Sequence, residues 1–392
     1  MKQRSVVSIV AVVGAMAFAG YHLSGATQGA KPSSIQPDEI PAFEYDPTWP
    51  KRPLPNQWIF GNVAGLAIEQ NDHVWVIQRP LSLSNGMDFA GLNPPAADCC
   101  RPAPSIIEFD ATGGVVQGWG GPDPKNPTGK RAAAGYEWPR EHGLFVDQKG
   151  NVWTGSDETG SATVTKLTHD GKLIFQKGKF KQSKGNADTE NFSSPAGLYV
   201  DAKTNETYIA DGYHNNRVMV IDADTGAFKR MWGAYGNKPV DGDSPYDPKA
   251  APTQQFRLPV HCIEISRDDL VYVCDRRSNR VQVFQKDGTF VKEGFVAPWT
   301  LGFGAVHDIA FSPDSQQRFM YVGDGANKKV WILRRDNLEV LGSFGNGGKY
   351  GGDFGVVHTL VSDSKGNLYV GETLGGDRVQ KFKFTGMKKR TR

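Results

Sequence analysis

The sequence predicts an all-β chain folded as a six-bladed β-propeller, on three observations. A unit of four short apolar strands recurs six times at roughly 45–80 residues, a period that marks repeat architectures. Acid- and glycine-rich turns such as "DQKGN", "ADTG", "KDGT" and "DSKGN" separate the strands, as hairpins require. The 392 residues include 46 glycines and 24 prolines, a composition suited to many turns.

In chain order, residues 1–28 read as a signal peptide. Lys2 and Arg4 precede an apolar run from Val6 to Ala19, and the small residues of "SGATQGA" follow. The run is short for a membrane span, so no span is expected in the mature chain, and an uncleaved anchor is the lesser alternative. Residues 29–56 are proline-rich and aperiodic and read as a linker. The propeller is expected over 57–385, with "WIFG" at 58–61 completing blade 6 and closing the ring, and 386–392 as a basic tail.

The six first strands are "AGLAIE" (64–69), "HGLFVD" (142–147), "AGLYVD" (196–201), "HCIEIS" (261–266), "HDIAFS" (307–312) and "HTLVSD" (358–363). Second strands include "HVWVIQR", "TYIADGY" and "LVYVCDR"; third strands include "NRVMVID" and "NRVQVFQ"; fourth strands end in pieces such as "GWGG" and "MWGAYG". The "NRV" pieces resemble NHL-type repeats, a resemblance that implies the fold and leaves the activity open.

The formal net charge of +3 and the lack of a basic stripe give no reason to expect a nucleic-acid partner. The four cysteines allow three pairings. Cys262 and Cys274 flank a hairpin turn and are expected to bridge it; a vicinal Cys99–Cys100 bridge is the strained option. Export, to the periplasm or the extracellular space, would permit both.

Aligned first strands produce one column: Ala64, His142, Ala196, His261, His307 and His358. Four of the eight histidines share a single structural position. One strand-end histidine is ordinarily a packing or hydrogen-bonding residue, but the column as a set is not. In a propeller the first strands line the channel, so His142, His261 and His358, on alternate blades, approach the axis about 120° apart. Three imidazoles so arranged suit Zn²⁺ with one position open. His307 breaks the symmetry, as a hydrogen-bonding neighbour or as a competing ligand.

A second column lies at the ends of the second strands: Arg79, Glu158, Gly212, Arg276, Gly325 and Thr373, with Tyr213 one step beyond Gly212. Arg79, Tyr213 and Arg276 are therefore expected at the channel mouth, on the face that also carries the long insertions 80–104, 121–139 and 236–255. Positive charge beside a phenol favours the phenolate, which suits Tyr213 to general-base work. The bland alternative for each arginine is a salt bridge, as between Asp275 and Arg276.

These residues resemble the peptidyl-α-hydroxyglycine amidating lyases, six-bladed zinc propellers. The resemblance rests on His142 in "EHGLFVD", His261 in "PVHCIEI" and His358 in "VVHTLVS", with Tyr213 in "DGYHNNR", Arg276 in "DRRSNR" and Arg79 in "VIQRP". It implies zinc on the three histidines, a catalytic Tyr213 supported by Arg276, and Arg79 at the substrate. It also implies a structural Ca²⁺ on the backbone carbonyls of Leu66 and Leu144, although Thr359 stands where the family has an aspartate. A hydroxyl is a poor substitute for a carboxylate toward a hard cation. Val356 and His214 replace a family methionine and cysteine, and the chain has no copper monooxygenase domain.

The expected function is a monomeric, exported zinc lyase. It would cleave the C–N bond of a carbinolamide, such as a peptidyl-α-hydroxyglycine, to an amide and glyoxylate. For a small-molecule or peptide substrate the expected catalytic residues are Tyr213 as the base, Arg276 keeping its phenolate accessible, and Arg79 positioning the substrate. One rival is a non-enzymatic propeller binding a peptide or cell-envelope partner on its loop-rich face. A calcium-dependent lactonase-like enzyme ranks lower, because the first-strand column has no carboxylate; a quinone enzyme is hinted at only by Cys99–Cys100.

Overall fold

The computed structural model describes residues 38–84, 97–121, 138, 140–156 and 162–390. The expected signal peptide and Glu158 lie outside these residues, as do most of the 121–139 insertion and much of the 80–104 insertion. Six four-stranded antiparallel sheets are the blades. Their first strands are Asn62–Ile68, Glu141–Val146, Pro195–Asp201, Val260–Ile265, Asp308–Phe311 and Val356–Ser362. Residues of all six blades line one central cavity of about 40 Å³.

The core lies between blades. Trp75 and Ile77 of blade 1 pack with Leu144 and Val152 of blade 2. Tyr208 and Val220 of blade 3 pack with Val271 and Phe284 of blade 4. Val63 and Val76 of blade 1 meet Tyr369 and Val379 of blade 6. Each blade is apolar on both faces, which is why its inner strands read as near-continuous apolar runs.

An N-terminal strand closes the ring, as the sequence predicts, but it is not the expected one. The strand that completes blade 6 is Glu39–Asp46, inside the segment read as a linker. It pairs with Arg378–Lys389, from Glu39 opposite Lys389 to Asp46 opposite Lys381. Acidic positions thus face basic ones, and Lys383 Nζ lies 3.2 Å from Asp46 Oδ2. Pro41 is tolerated because this is the outermost strand of its sheet. Residues 386–389, read as tail, belong to the same ladder. Trp58–Ile59 instead pairs in parallel with Arg101–Pro102.

The "NRV" arginines have a structural task. Arg217 and Arg280 are fully buried, each against the aspartate that ends the preceding strand, Asp211 and Asp275, with N–O distances of 2.8 Å. Both cysteine pairs are bridged, Cys262–Cys274 between the first two strands of blade 4 and Cys99–Cys100 in the blade 1 insertion. Among the described residues no helix is long and apolar enough to cross a membrane.

Candidate metal centre and active site

The histidine heads reach the channel because the strands bulge there. In blades 1, 2, 3, 4 and 6 the register between first and second strands slips at or beside the column residue. A bulge re-aims a side chain without ending the strand. In blade 2 the extra residue is Gly143, at φ +60°, where a Cβ would come within 2.4 Å of the Ala196 carbonyl oxygen. That carbonyl also accepts a hydrogen bond from His142 Nδ1, at 2.6 Å.

His142, His261 and His358 are all buried, and their ligand atoms lie within 4.8 Å of one another. Ring centroids are 5.0 Å apart for His142–His261 and 4.9 Å for each pair with His358. His261 Nδ1 donates to the His307 carbonyl at 2.5 Å. With Nδ1 protonated on His142 and His261, each Nε2 keeps a lone pair. Burial holds all three imidazoles well below the usual histidine range; neighbouring imidazoles and the Arg79 and Arg276 guanidinium groups add to the effect. Three neutral nitrogens in a dry pocket fit a borderline divalent cation. So does His358 Nδ1, a buried polar atom without a hydrogen-bond partner among the described residues.

Between the first and second strands of blade 5 there is no register slip, and the first strand pairs regularly from Asp308. His307 therefore stands outside the trio. Its Nδ1 accepts the Gly325 N–H at 3.2 Å, and its carbonyl orients His261.

Tyr213 joins the trio directly. Its hydroxyl lies 3.0 Å from His142 Nε2 and 3.2 Å from His261 Nε2. Gly212 makes this approach possible, since a Cβ there would fall 1.8 Å from the Val260 carbonyl oxygen, immediately before His261. Arg276 Nη1 donates to the Tyr213 hydroxyl at 3.3 Å, and its Nε is held by the Phe303 carbonyl at 3.0 Å. Asp275 pairs with Arg280 rather than with Arg276, so the salt-bridge alternative for Arg276 does not hold. Arg79 Nε donates to the Glu141 carbonyl at 2.9 Å, which places it beside His142. Tyr213 and Arg276 open onto a cleft of about 440 Å³ walled by Leu258, Pro259, Arg277 and Phe303.

Two acids escaped the sequence reading. Glu264 and Asp308 line the channel cavity with Leu66, Leu144 and Thr359. Burial pushes the Asp308 carboxyl up to about 7, and burial together with Asp308 pushes Glu264 well above the usual range. Asp308 accepts the Leu360 N–H at 3.0 Å, and Thr359 Oγ1 accepts the Leu66 N–H at 3.1 Å. The channel therefore does contain carboxylates, one step after the column in blade 5 and three steps after it in blade 4.

No family model matches the chain. Over 249 residues it is 28% identical to peptidyl-glycine alpha-amidating monooxygenase B of Xenopus laevis, a match spanning 59% of this chain and 25% of that protein. It is 26% identical over 367 residues to NHL repeat-containing protein 3 of Mus musculus, covering 88% of this chain and 85% of that one. Over 145 residues it is 29% identical to the probable peptidyl-alpha-hydroxyglycine alpha-amidating lyase pgal-1 of Caenorhabditis elegans, 36% of each. The match thus spans about a quarter of the length of the amphibian protein. Among solved structures, a streptogramin B lyase superposes with a TM-score of 0.51 at 12% identity, over 88% of this chain and 98% of that one, a likeness of fold. The fold places the chain among the six-bladed β-propellers, and the proteins it is similar to include an NHL repeat-containing protein and a probable amidating lyase. Within that class the chain resembles the peptidyl-α-hydroxyglycine amidating lyases.

Proposed function

We propose that the chain is an exported zinc-dependent lyase that cleaves the C–N bond of a carbinolamide such as a peptidyl-α-hydroxyglycine, releasing an amide and glyoxylate. The observation that carries this reading is the Tyr213 hydroxyl, within hydrogen-bond distance of two imidazoles of the trio and of Arg276. His142, His261 and His358 would hold the zinc, whose Lewis acidity lowers the pKa of a substrate hydroxyl. Tyr213, as phenolate, accepts the hydroxyl proton. Arg276 stabilises that phenolate and fixes its direction. Arg79 positions the substrate carboxylate, where a guanidinium fork is the best match. The carbonyl of glyoxylate forms as the C–N bond breaks, and the proton held by Tyr213 passes to the leaving amide nitrogen.

Trp299, Leu301 and Phe303 are exposed on one loop, and Phe303 walls the cleft, which suits a peptide with apolar residues. The two disulfides agree with an oxidising compartment. A calcium on the Leu66 and Leu144 carbonyls would take its carboxylate from Asp308 rather than from position 359. The alternative is a non-enzymatic binding propeller: NHL repeat-containing protein 3, matched over 88% of this chain, is named for its repeats and not for an activity.

The test is zinc content together with turnover. His261→Ala should lose one zinc per chain and all glyoxylate release from a hydroxyglycine-terminated peptide. Zinc-loaded wild type that releases no glyoxylate would favour the binding propeller.

A further inference from the structure

Away from the channel, at the end of the first strand of blade 1 opposite Ala64, a second set of ligand-type side chains converges. Glu69, Glu108 and His169 place one ligand atom each within 4.8 Å of one another. His169 Nε2 lies 3.7 Å from Glu69 Oε2 and 3.8 Å from Glu108 Oε2. Two bonds of about 2.0–2.1 Å at a tetrahedral angle set ligand atoms about 3.3 Å apart, so a small contraction would complete the shell.

We propose that this cluster is a second divalent-cation site, of transition-metal type such as Zn²⁺, that ties blade 1 to blade 2. Glu69 lies in the first hairpin of blade 1 and Glu108 on its third strand, whereas His169 lies in the last hairpin of blade 2. The neighbours orient the set in the way second-shell groups do. His73 Nδ1 lies 2.6 Å from Glu108 Oε1, and Gln117 Nε2 donates to Glu108 Oε2 at 2.7 Å. Trp75 Nε1 donates to Glu69 Oε2 at 3.3 Å, and its ring meets His169 edge-on at 4.8 Å.

Charge favours a cation. The Glu108 side chain is 2% exposed, and among the described residues neither Glu108 nor Glu69 has a lysine or arginine within salt-bridge distance. Imidazoles rather than lysines or arginines stand beside the two carboxylates, and a buried carboxylate is costly unless paired or bound to metal. Mixed imidazole and carboxylate donors suit zinc and its neighbours better than calcium or magnesium. An ion bound only to the folded state would stabilise the pair of blades.

The test is equilibrium dialysis of metal-free full-length protein against Zn²⁺. Wild type should bind two ions per chain, and His169→Ala and Glu108→Gln one each. His169 is 44% exposed on its side chain, so its replacement should leave the fold and glyoxylate release unchanged. Zn²⁺ should raise the Tm of His261→Ala but not of the His169→Ala, His261→Ala double variant. A single wild-type ion lost in His261→Ala, or two ions retained in His169→Ala, would overturn the proposal. A single ion lost only in His169→Ala would support this site and sink the zinc trio.

Discussion

Tyr213 is held in place by close backbone packing and by an arginine from the next blade. Gly212 lets its strand end close against Val260, and Arg276 reaches its hydroxyl because Asp275 is engaged by Arg280. Tyr213→Phe should leave the zinc content intact and lower kcat by about 10²–10⁴-fold, the usual worth of a positioned base. Gly143→Ala should cost about 2 kcal/mol of stability, from a positive φ and a clash with the carbonyl that holds His142, and should weaken zinc binding. Urea unfolding and dialysis would measure both. The trio, Tyr213 and Arg276 were legible in the sequence because each sits at a fixed point of a repeated strand. Asp308 and Glu264 were not. Which residue of a strand faces the channel depends on a bulge, and a period-2 pattern does not show where the register slips.

At the scale of elements, blades 3 and 4 are each pinned by a buried ion pair from the second strand to the third. Asp275 accepts from Arg280 Nε at 2.8 Å and also caps the Arg257 N–H. Asp275→Ala leaves Arg280 buried without its closest acid and should cost about 3 kcal/mol or more in chemical denaturation. The Glu206–Arg230 pair of blade 3 adds a pH-dependent contribution. Hydrogen bonding from Arg230, helped by Tyr208 and Lys229, holds the Glu206 carboxyl at about 2. A depressed acid stabilises the fold above its unfolded pKa of about 4.3, and that stability is lost as pH falls toward 2. Glu206→Gln should therefore be less stable than wild type at pH 7 by up to about 3 kcal/mol, with the gap narrowing below pH 4.5. A gap independent of pH would contradict this. The salt-bridge reading of Asp275 with Arg276 failed because the strand ends at Asp275 and Arg276 opens the 3-10 turn that follows, where its guanidinium reaches Phe303 and Tyr213, whereas Arg280 returns on the next strand.

The described residues form a ring closed by an N-terminal strand, as the sequence predicts, but which strand closes it was not legible. Glu39–Asp46 contains a proline and lies in a proline-rich stretch, and its partner strand is more than 330 residues away in the chain. Only the facing acids and lysines mark the pair, and they are surface charges that a single sequence does not link. A protein lacking residues 38–46 should melt about 10 °C lower or more, since an open blade exposes a strand edge and the Phe43 contacts with Tyr321 and Phe344. The closed ring is what brings blades 2, 4 and 6 to one axis, and the lyase reading depends on that convergence. The most direct measurement is glyoxylate release from a hydroxyglycine-terminated peptide by the zinc-loaded protein, alongside His261→Ala. Release by the wild type and its loss in the variant is the predicted result; no release by a wild type shown to hold zinc on the trio would contradict the account.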